Sequence, residues 1–77
     1  LDYYSPDFLE KILLRSGQIL TVPLTQEGAR AIAERSRGTP RIANNLLRWV
    51  RDYVQIKKHP KVDRQTALLA LDMLDID

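Results

Sequence analysis

Apolar residues recur at helical spacing in four stretches of the chain, separated by short polar or proline-containing segments. The strongest signal lies between residues 43 and 54, where the intervals of three, four and seven are typical of an amphipathic helix. The predicted buried stripes are Phe8, Leu9, Ile12 and Leu13, with Ile19 and Leu20 as candidates to extend them; Ala29, Ile32 and Ala33; Ala43, Leu46, Leu47, Val50, Tyr53 and Val54; and Ala67, Leu68, Leu71 and Leu74.

Each stripe is preceded by a residue that can cap a helix N-terminus. Ser5 and Thr39 are both followed by proline, which suits the first helical position because no N–H donor is needed there. Thr25 and Asp63 are the predicted caps of the second and fourth helices. The four helices are therefore expected to begin at residues 6, 26, 40 and 64.

The predicted helix ends are less uniform. The first helix is expected to end near Leu20, and Pro23 keeps the linker after it extended. The second is expected to run through residues 26–37 and to end at Gly38 in the left-handed conformation that closes many helices. The chain is thus predicted to be all-α, a small four-helix bundle. A minimal pairing of residues 22–24 with the stretch around Val62 stays open.

Composition limits the chemistry that this bundle can carry. The 77 residues contain no cysteine, and the one histidine, His59, is expected to be a solvated loop residue rather than a metal ligand. No apolar run reaches the roughly 18 residues of a membrane span, and the start has no signal-peptide pattern. The first residue is leucine and not an initiator methionine, so we expect the chain to be a piece of a longer protein.

Positive charge is concentrated in the middle of the chain. Residues 30–64 hold ten of the twelve Lys and Arg and only three acids, whereas both ends are acidic. The segment "RSRGTPRIANNLLRWVRD" alone contains five arginines. This pattern fits an anionic partner or a solvated basic face equally well.

Arg41 is the arginine whose position is least expected. It lies in the first turn of the third helix, where free N–H groups already create positive potential and a cation is unfavourable. A phosphate would be attracted both by that helix end and by the guanidinium. Helical projection places Arg41, Asn45, Arg48 and Asp52 on one face, and the spacing of Arg48 and Asp52 suits an ion pair that leaves Arg41 free.

Two hypotheses follow from these residues. The first is a helix-turn-helix DNA-binding module, with Arg41, Asn44, Asn45 and Arg48 on the recognition helix. The second is a helical lid that closes over a nucleotide held by another domain. One of Tyr3 and Tyr4 is expected to cover the first helical turn, and Trp49 is expected to be partly buried.

The segment "RSRGTPRIANNLLRWVRDY" closely resembles the sensor-2 segment of the RuvB family, the bacterial AAA+ motors of Holliday-junction branch migration. The resemblance extends through "LDYYSPDFLEKILLRSGQIL", "TQEGARAIAERSRGTPRIAN" and "ALLALDMLDID", and so covers essentially the whole chain. It implies that residues 1–77 are the small helical AAA+ lid domain of a larger motor. A phosphate-loop AAA+ domain would precede it, and a winged-helix DNA-binding domain would follow.

The resemblance also implies site residues. By position, Arg41 matches the catalytic sensor-2 arginine that contacts the γ-phosphate of ATP, and Tyr4 matches a tyrosine that lines the nucleotide site. Pro40 and Ile42 flank Arg41 and are implied near the adenine. The preceding domain would supply the Mg²⁺ that accompanies ATP. The chain departs from the family at Asn45 and Trp49, where arginine is usual, and "IKKHPKVD" replaces a more glycine-rich loop.

The implied partners belong to the whole motor. They are a homo-hexameric ring around duplex DNA, RuvA as the junction-binding protein, and Holliday-junction DNA, with no membrane. The implied setting is the cytoplasm, in recombination, repair and the SOS response, with helicase-type ATP use. The 77-residue chain alone is expected to have no ATPase activity and to bind nucleotide feebly, because most of the site would lie in the preceding domain.

Overall fold

Four helices follow one another with short connections, as the apolar stripes predict. The computed structural model describes residues 3–74, and the ends of the expected domain, residues 1–2 and 75–77, lie outside the described residues. The helices are α1 (Pro6–Ile19), α2 (Gln26–Arg35), α3 (Pro40–Lys57) and α4 (Arg64–Leu74). The all-α prediction is confirmed, and α2 ends two residues earlier than expected.

Three of the four predicted N-caps are confirmed by hydrogen bonds. Ser5 Oγ accepts from the Phe8 N–H at 3.2 Å, Thr25 Oγ1 from the Gly28 N–H at 3.1 Å, and Asp63 Oδ1 from the Thr66 N–H at 2.8 Å. The Thr66 N–H is also the main reason that the pKa of Asp63 is lowered, because this bond favours the carboxylate.

Thr39 is the N-cap residue of α3 as predicted, but its hydroxyl makes no capping hydrogen bond. Its backbone instead closes the preceding turn, with the Thr39 N–H donating to Ser36 O at 3.1 Å. Pro40 occupies the start of α3 as predicted.

The predicted stripes supply most of the core. Leu9, Leu13, Ile32, Leu47 and Val50 are fully buried, whereas Phe8 and Ile19 are exposed. Ala70 is buried but lies outside the predicted stripe of α4, and Leu68 and Leu74 only pack against the edge of the core. Small side chains therefore let α4 approach α2 closely.

A second packing centre lies where the α1–α2 linker meets the segment before α4. Leu24 and Val62 form one parallel bridge, which confirms the minimal pairing. The Val62 carbonyl accepts from both the backbone N–H and the hydroxyl of Thr25, each at 3.0 Å, and the Val62 N–H donates to Pro23 O at 2.7 Å. Gly28 lies directly against Val62, since a Cβ on Gly28 would be 2.2 Å from Val62 O. We call Thr25, Gly28 and Val62 the Val62 side.

An ion-pair network on the surface joins α1, α2 and α4. Arg30 of α2 contacts the carboxylates of Asp7, of Glu10 at 3.7 Å and of Glu34 at 3.5 Å, and Arg64 of α4 contacts Glu34 at 3.3 Å. The hydrogen bond that Arg30 donates to the Asp7 carboxylate is the main cause that raises the pKa of Arg30. Asp7, Glu34 and Arg64 are exposed, and Arg30 and Glu10 are half-buried. Most of the network is therefore open to solvent and orients side chains more than it stabilises the fold.

Two aromatic side chains of α3, Trp49 and Tyr53, contact neighbouring segments. Trp49 is half-buried as predicted, and its Nε1–H donates to Ala70 O at 2.6 Å. His59 is half-buried rather than solvated, because its ring stacks on Tyr53 with centroids 5.7 Å apart. Within residues 3–74, no helix combines the length and apolar character needed to cross a membrane.

Candidate functional site

The turn between α2 and α3 has an unusual backbone. Arg37 and Gly38 are both left-handed, with φ of 56° and 80°. The left-handed Gly38 was predicted, but α2 already ends at Arg35, because Ser36 forms the cap and its hydroxyl donates to Ala33 O at 2.6 Å. The turn is consequently longer than the sequence suggests and brings the start of α3 to the edge of the domain.

Arg41 is exposed in the first turn of α3, where it was predicted. Among residues 3–74 its guanidinium makes no salt bridge, while Arg35 pairs with Asp72 at 3.0 Å and Arg51 with Asp52 at 3.2 Å. The predicted Arg48–Asp52 pair is therefore wrong, since Asp52 is bonded to its neighbour Arg51 instead. The expectation that Arg41 stays free of that pairing nevertheless holds.

The segment that leads into α1 reaches the same turn. We call residues 3–5 the lead-in segment. The Tyr4 N–H donates to Gly38 O at 2.9 Å, and the Tyr4 ring stacks on Phe8 with centroids 5.0 Å apart. Tyr4 is thus the tyrosine that covers the first turn of α1, while 44% of its surface remains open to a ligand.

The remaining predicted residues lie on two sides of this turn. Pro40 is half-buried between Gly38 and Arg41. Ile42 is 42% exposed and lines a cleft of about 420 Å³ with Arg37 and residues of α2, α3 and α4. The structure therefore brings Tyr4 to the turn that carries Arg41, whereas Ile42 faces the cleft towards α4. We call Tyr3, Tyr4, Gly38, Pro40 and Arg41 the Gly38 edge.

The outer face of α3 is only partly free. Asn44 and Arg48 line a small cleft together with Ser16, Ile19 and Leu20, which belong to the end of α1. A helix-turn-helix needs this face of the recognition helix open to the major groove. Because α1 ends against it, the helix-turn-helix hypothesis is not favoured.

Sequence reasoning missed two features of the Gly38 edge. The Tyr4–Gly38 hydrogen bond joins segments far apart in the chain, and no local pattern announces such a bond. The second is the close approach of Tyr3: a Cβ on Gly38 would lie 2.8 Å from the Tyr3 Cβ. A glycine that is not needed for the helix itself is the only signal that could have suggested it.

Comparison with known proteins places this geometry in a family. The model of the RuvB AAA lid domain family matches residues 4–77. The RuvB subunit of the Holliday junction branch migration complex from Protochlamydia amoebophila is 57% identical over the whole chain, which corresponds to 23% of that protein. The RuvB subunit from Rubrobacter xylanophilus is 54% identical, again over the whole chain and 22% of the relative.

A solved structure agrees with the sequence comparison. The RuvB Holliday junction branch migration motor of Thermotoga maritima superposes with a TM-score of 0.93 at 36% identity, covering all of this chain and 26% of that one. The fold and the exposed arginine after a Thr-Pro turn define a small helical lid of the AAA class. The chain belongs to the RuvB AAA lid domain family. It spans about a quarter of the length of these relatives.

Proposed function

We propose that this chain is the lid domain of an ATP-driven motor that moves Holliday junctions by branch migration. The relatives that it matches carry that name for the whole protein, of which this chain corresponds to 22–23%. The observation that carries the proposal is the Gly38 edge, where an exposed arginine lies in the first turn of α3 and an exposed tyrosine is hydrogen-bonded to the turn before it. In this proposal, residues 1–77 close over ATP held by a preceding AAA+ domain.

Arg41 has the physical properties that a γ-phosphate contact requires. Its guanidinium offers donors in a planar fork that suits phosphate oxygens, and the free N–H groups of the first turn of α3 add positive potential beside it. The guanidinium and the helix N-terminus repel each other because both are positive. An anion bound between them would be attracted to both. Tyr4 offers an exposed ring face next to the turn, which suits packing on part of the nucleotide.

The proposed action of the lid is a change of position. ATP supplies the phosphoryl group whose transfer to water powers the motor. Arg41 holds the lid towards the preceding domain while a terminal phosphate is present and loses that contact after hydrolysis. Only a contact that differs between the two nucleotide states can bias such a movement. Pro40 limits the freedom of the backbone directly before Arg41, so the point from which the Arg41 side chain leaves the turn is fixed.

The roles of the other predicted residues remain within the proposal. Pro40 is suited to a contact near the adenine by its place between Gly38 and Arg41. Ile42 is less suited, because it lines the cleft towards α4. Mg²⁺ is assigned to the preceding domain. RuvA, the hexameric ring, the following winged-helix domain and the cytoplasmic setting are proposed for the whole motor by resemblance to the family.

The test compares Arg41→Ala with Arg48→Ala in the longer motor that contains this chain. Both arginines are exposed on α3, but Arg48 lies two turns from the helix start. We expect Arg41→Ala to reduce kcat for ATP by roughly a hundredfold, the usual effect of removing one group that stabilises a transition state. Arg48→Ala is expected to change it less than about threefold. Near-normal ATP turnover by Arg41→Ala would refute the sensor role.

A titration of the 77-residue chain separates the lid from a DNA-binding module. A lid is expected to bind labelled duplex weakly and without sequence preference, and to bind an ATP analogue feebly. Tight duplex binding that falls steeply with salt would instead support the helix-turn-helix hypothesis.

A further inference from the structure

The lead-in segment and the α2–α3 turn touch at their backbones. The Tyr4 N–H donates to Gly38 O at 2.9 Å. A Cβ added to Gly38 would be 2.8 Å from the Tyr3 Cβ, 3.2 Å from its Cδ1 and 3.2 Å from Tyr4 O. Since real Cβ atoms do not approach other atoms to 2.8 Å, only glycine permits this contact.

The left-handed backbone alone does not account for the glycine. Arg37, the preceding residue, has a φ of 56° and carries a full side chain. The turn therefore tolerates a non-glycine residue at positive φ, at a modest cost in strain. Gly38 differs from Arg37 in its larger φ of 80° and in the Tyr3 side chain lying against it.

The link from Gly38 to Arg41 is short and stiff. The Thr39 N–H donates to Ser36 O at 3.1 Å, and Thr39 O accepts from the Ala43 N–H at 2.9 Å. Pro40 fixes φ between them. A displacement of the Arg41 backbone is consequently passed to Gly38 rather than absorbed by the turn.

We propose that Gly38 is a positioning residue that couples Arg41 to the lead-in segment, through the Tyr4 hydrogen bond and the close packing of Tyr3. The inference rests on the proposed function, because it concerns how a phosphate contact at Arg41 moves the lid. In the proposed motor, the lead-in segment joins α1 to the preceding AAA+ domain. A movement of Arg41 would therefore displace the connection between the two domains. Gly38 touches neither the nucleotide nor the DNA in this arrangement and acts only through its neighbours.

The test uses Gly38→Asn in the longer motor that contains this chain. Asparagine tolerates positive φ better than other non-glycine residues, so this variant mainly introduces the Cβ that collides with Tyr3. Tyr3→Gly removes both atoms of Tyr3 that the new Cβ would meet. The pair Gly38→Asn and Gly38→Asn/Tyr3→Gly therefore separates packing against the lead-in segment from backbone strain, and Arg37→Gly is the matched control in the same turn.

The readout is the amount of Holliday junction migrated per ATP hydrolysed, with KM and kcat for ATP measured in the same reactions. We expect Gly38→Asn to lower the migration per ATP by about fivefold or more, the lower end of typical coupling between sites. KM is expected to stay within about twofold, because Arg41 and Tyr4 are still present. Adding Tyr3→Gly is expected to restore at least half of the loss, while Arg37→Gly stays close to the parent protein.

An unchanged migration per ATP in Gly38→Asn would overturn the inference, and so would a loss that Tyr3→Gly does not restore. Should Gly38→Asn fail to fold, Tyr3→Gly must recover the fold in the double variant, since otherwise the collision is not the cause. Arg41→Ala in the same assay keeps the two proposals apart. Normal ATP turnover in Arg41→Ala would refute the sensor role. If Arg41→Ala loses ATP turnover but Gly38→Asn keeps the migration per ATP of the parent protein, only the coupling is refuted.

Discussion

The Val62 side and the Gly38 edge are both places where a glycine lets two backbones meet, yet they are built differently. At the Val62 side, Val62 is fully buried, and its carbonyl accepts two hydrogen bonds from Thr25 beside the close approach of Gly28. At the Gly38 edge, one backbone hydrogen bond joins the exposed Tyr4 to the half-buried Gly38. The first region joins the start of α2 to the segment before α4, whereas the second presents exposed side chains. In the proposed function, the groups that bind the nucleotide are therefore separate from those that hold the fold together.

The largest effect is expected from Gly28→Ala. The new Cβ would be 2.2 Å from Val62 O and 3.0 Å from Val62 C, and a backbone carbonyl cannot move aside as a side chain can. We expect a loss of about 3 kcal/mol or more in the free energy of unfolding, at the upper end for overpacking. Urea unfolding of the 77-residue chain, followed by circular dichroism, measures it.

Gly17→Ala is the matched control for that variant. Its Cβ would meet the Leu24 side chain at 3.3 Å, and alanine favours the helical conformation by up to about 1 kcal/mol. We expect a net change within about 1 kcal/mol of the parent protein. Equal losses of unfolding free energy in Gly28→Ala and Gly17→Ala would mean that the close approach of Gly28 to Val62 O is not the cause of the loss.

The next effect compares the two threonines that precede helices. Thr25→Val removes a hydroxyl that accepts from the Gly28 N–H and donates to Val62 O, and is expected to cost about 1–2 kcal/mol. Thr39→Val removes a hydroxyl with no capping bond and is expected to cost less than about 0.5 kcal/mol. A similar loss of unfolding free energy in Thr25→Val and Thr39→Val, by the same measurement, would contradict the expectation that only the Val62 side stabilises the fold.

A smaller effect is expected on the stability of the fold at low pH, through Asp63. The pKa of Asp63 is lowered by the Thr66 N–H, so the folded state binds a proton less readily than the unfolded chain. The contribution of this carboxylate is complete above the ordinary aspartate pKa of about 4 and is lost as the pH falls through the lowered value. We expect Asp63→Asn, which still caps α4, to match the parent protein at pH 7 and to lose less stability by pH 3.

Asp63→Ala completes that comparison, because alanine cannot cap the helix at any pH. It should be less stable than Asp63→Asn at pH 7. If Asp63→Asn loses stability in acid as steeply as the parent protein, the Asp63 carboxylate is not a source of the pH dependence.

The smallest effect is expected from Arg41→Ala on stability. Removing a cation from the first turn of α3 relieves an unfavourable interaction of about 0.3–1 kcal/mol in principle, and exposed substitutions usually stay within about 0.5 kcal/mol. We therefore expect the melting temperature of the 77-residue chain to stay level or rise slightly. A marked fall would show that Arg41 serves the fold, contrary to the separation of the two regions.

Local signals predicted much of this structure. Caps and apolar spacing located all four helix starts, because the hydrogen bonds of Ser5, Thr25 and Asp63 span only three residues. Two errors arose where a residue had a choice of partners. Ser36 caps α2 before Gly38, and Asp52 forms its ion pair with Arg51 rather than with Arg48.

The candidate site was predictable only in part. The position of Arg41 follows from its place after Thr39 and Pro40, which sequence alone supplies. The approach of Tyr3 and Tyr4 to Gly38 depends on how α1 packs against the other helices, and no spacing rule contains that information. The same holds for Gly28 and Val62, whose contact exists only once both linkers are in place.

The Leu24–Val62 bridge has a consequence for the order of folding. Thr25 and Val62 are 37 positions apart, and the loop between them contains α2 and α3. Closing such a loop costs entropy before the contact is gained, and non-local contacts slow folding relative to purely local helix pairing. We therefore expect α4 to dock late, after α2 and α3 have formed, and refolding to be slower than that of a helical bundle of equal size with only neighbouring contacts.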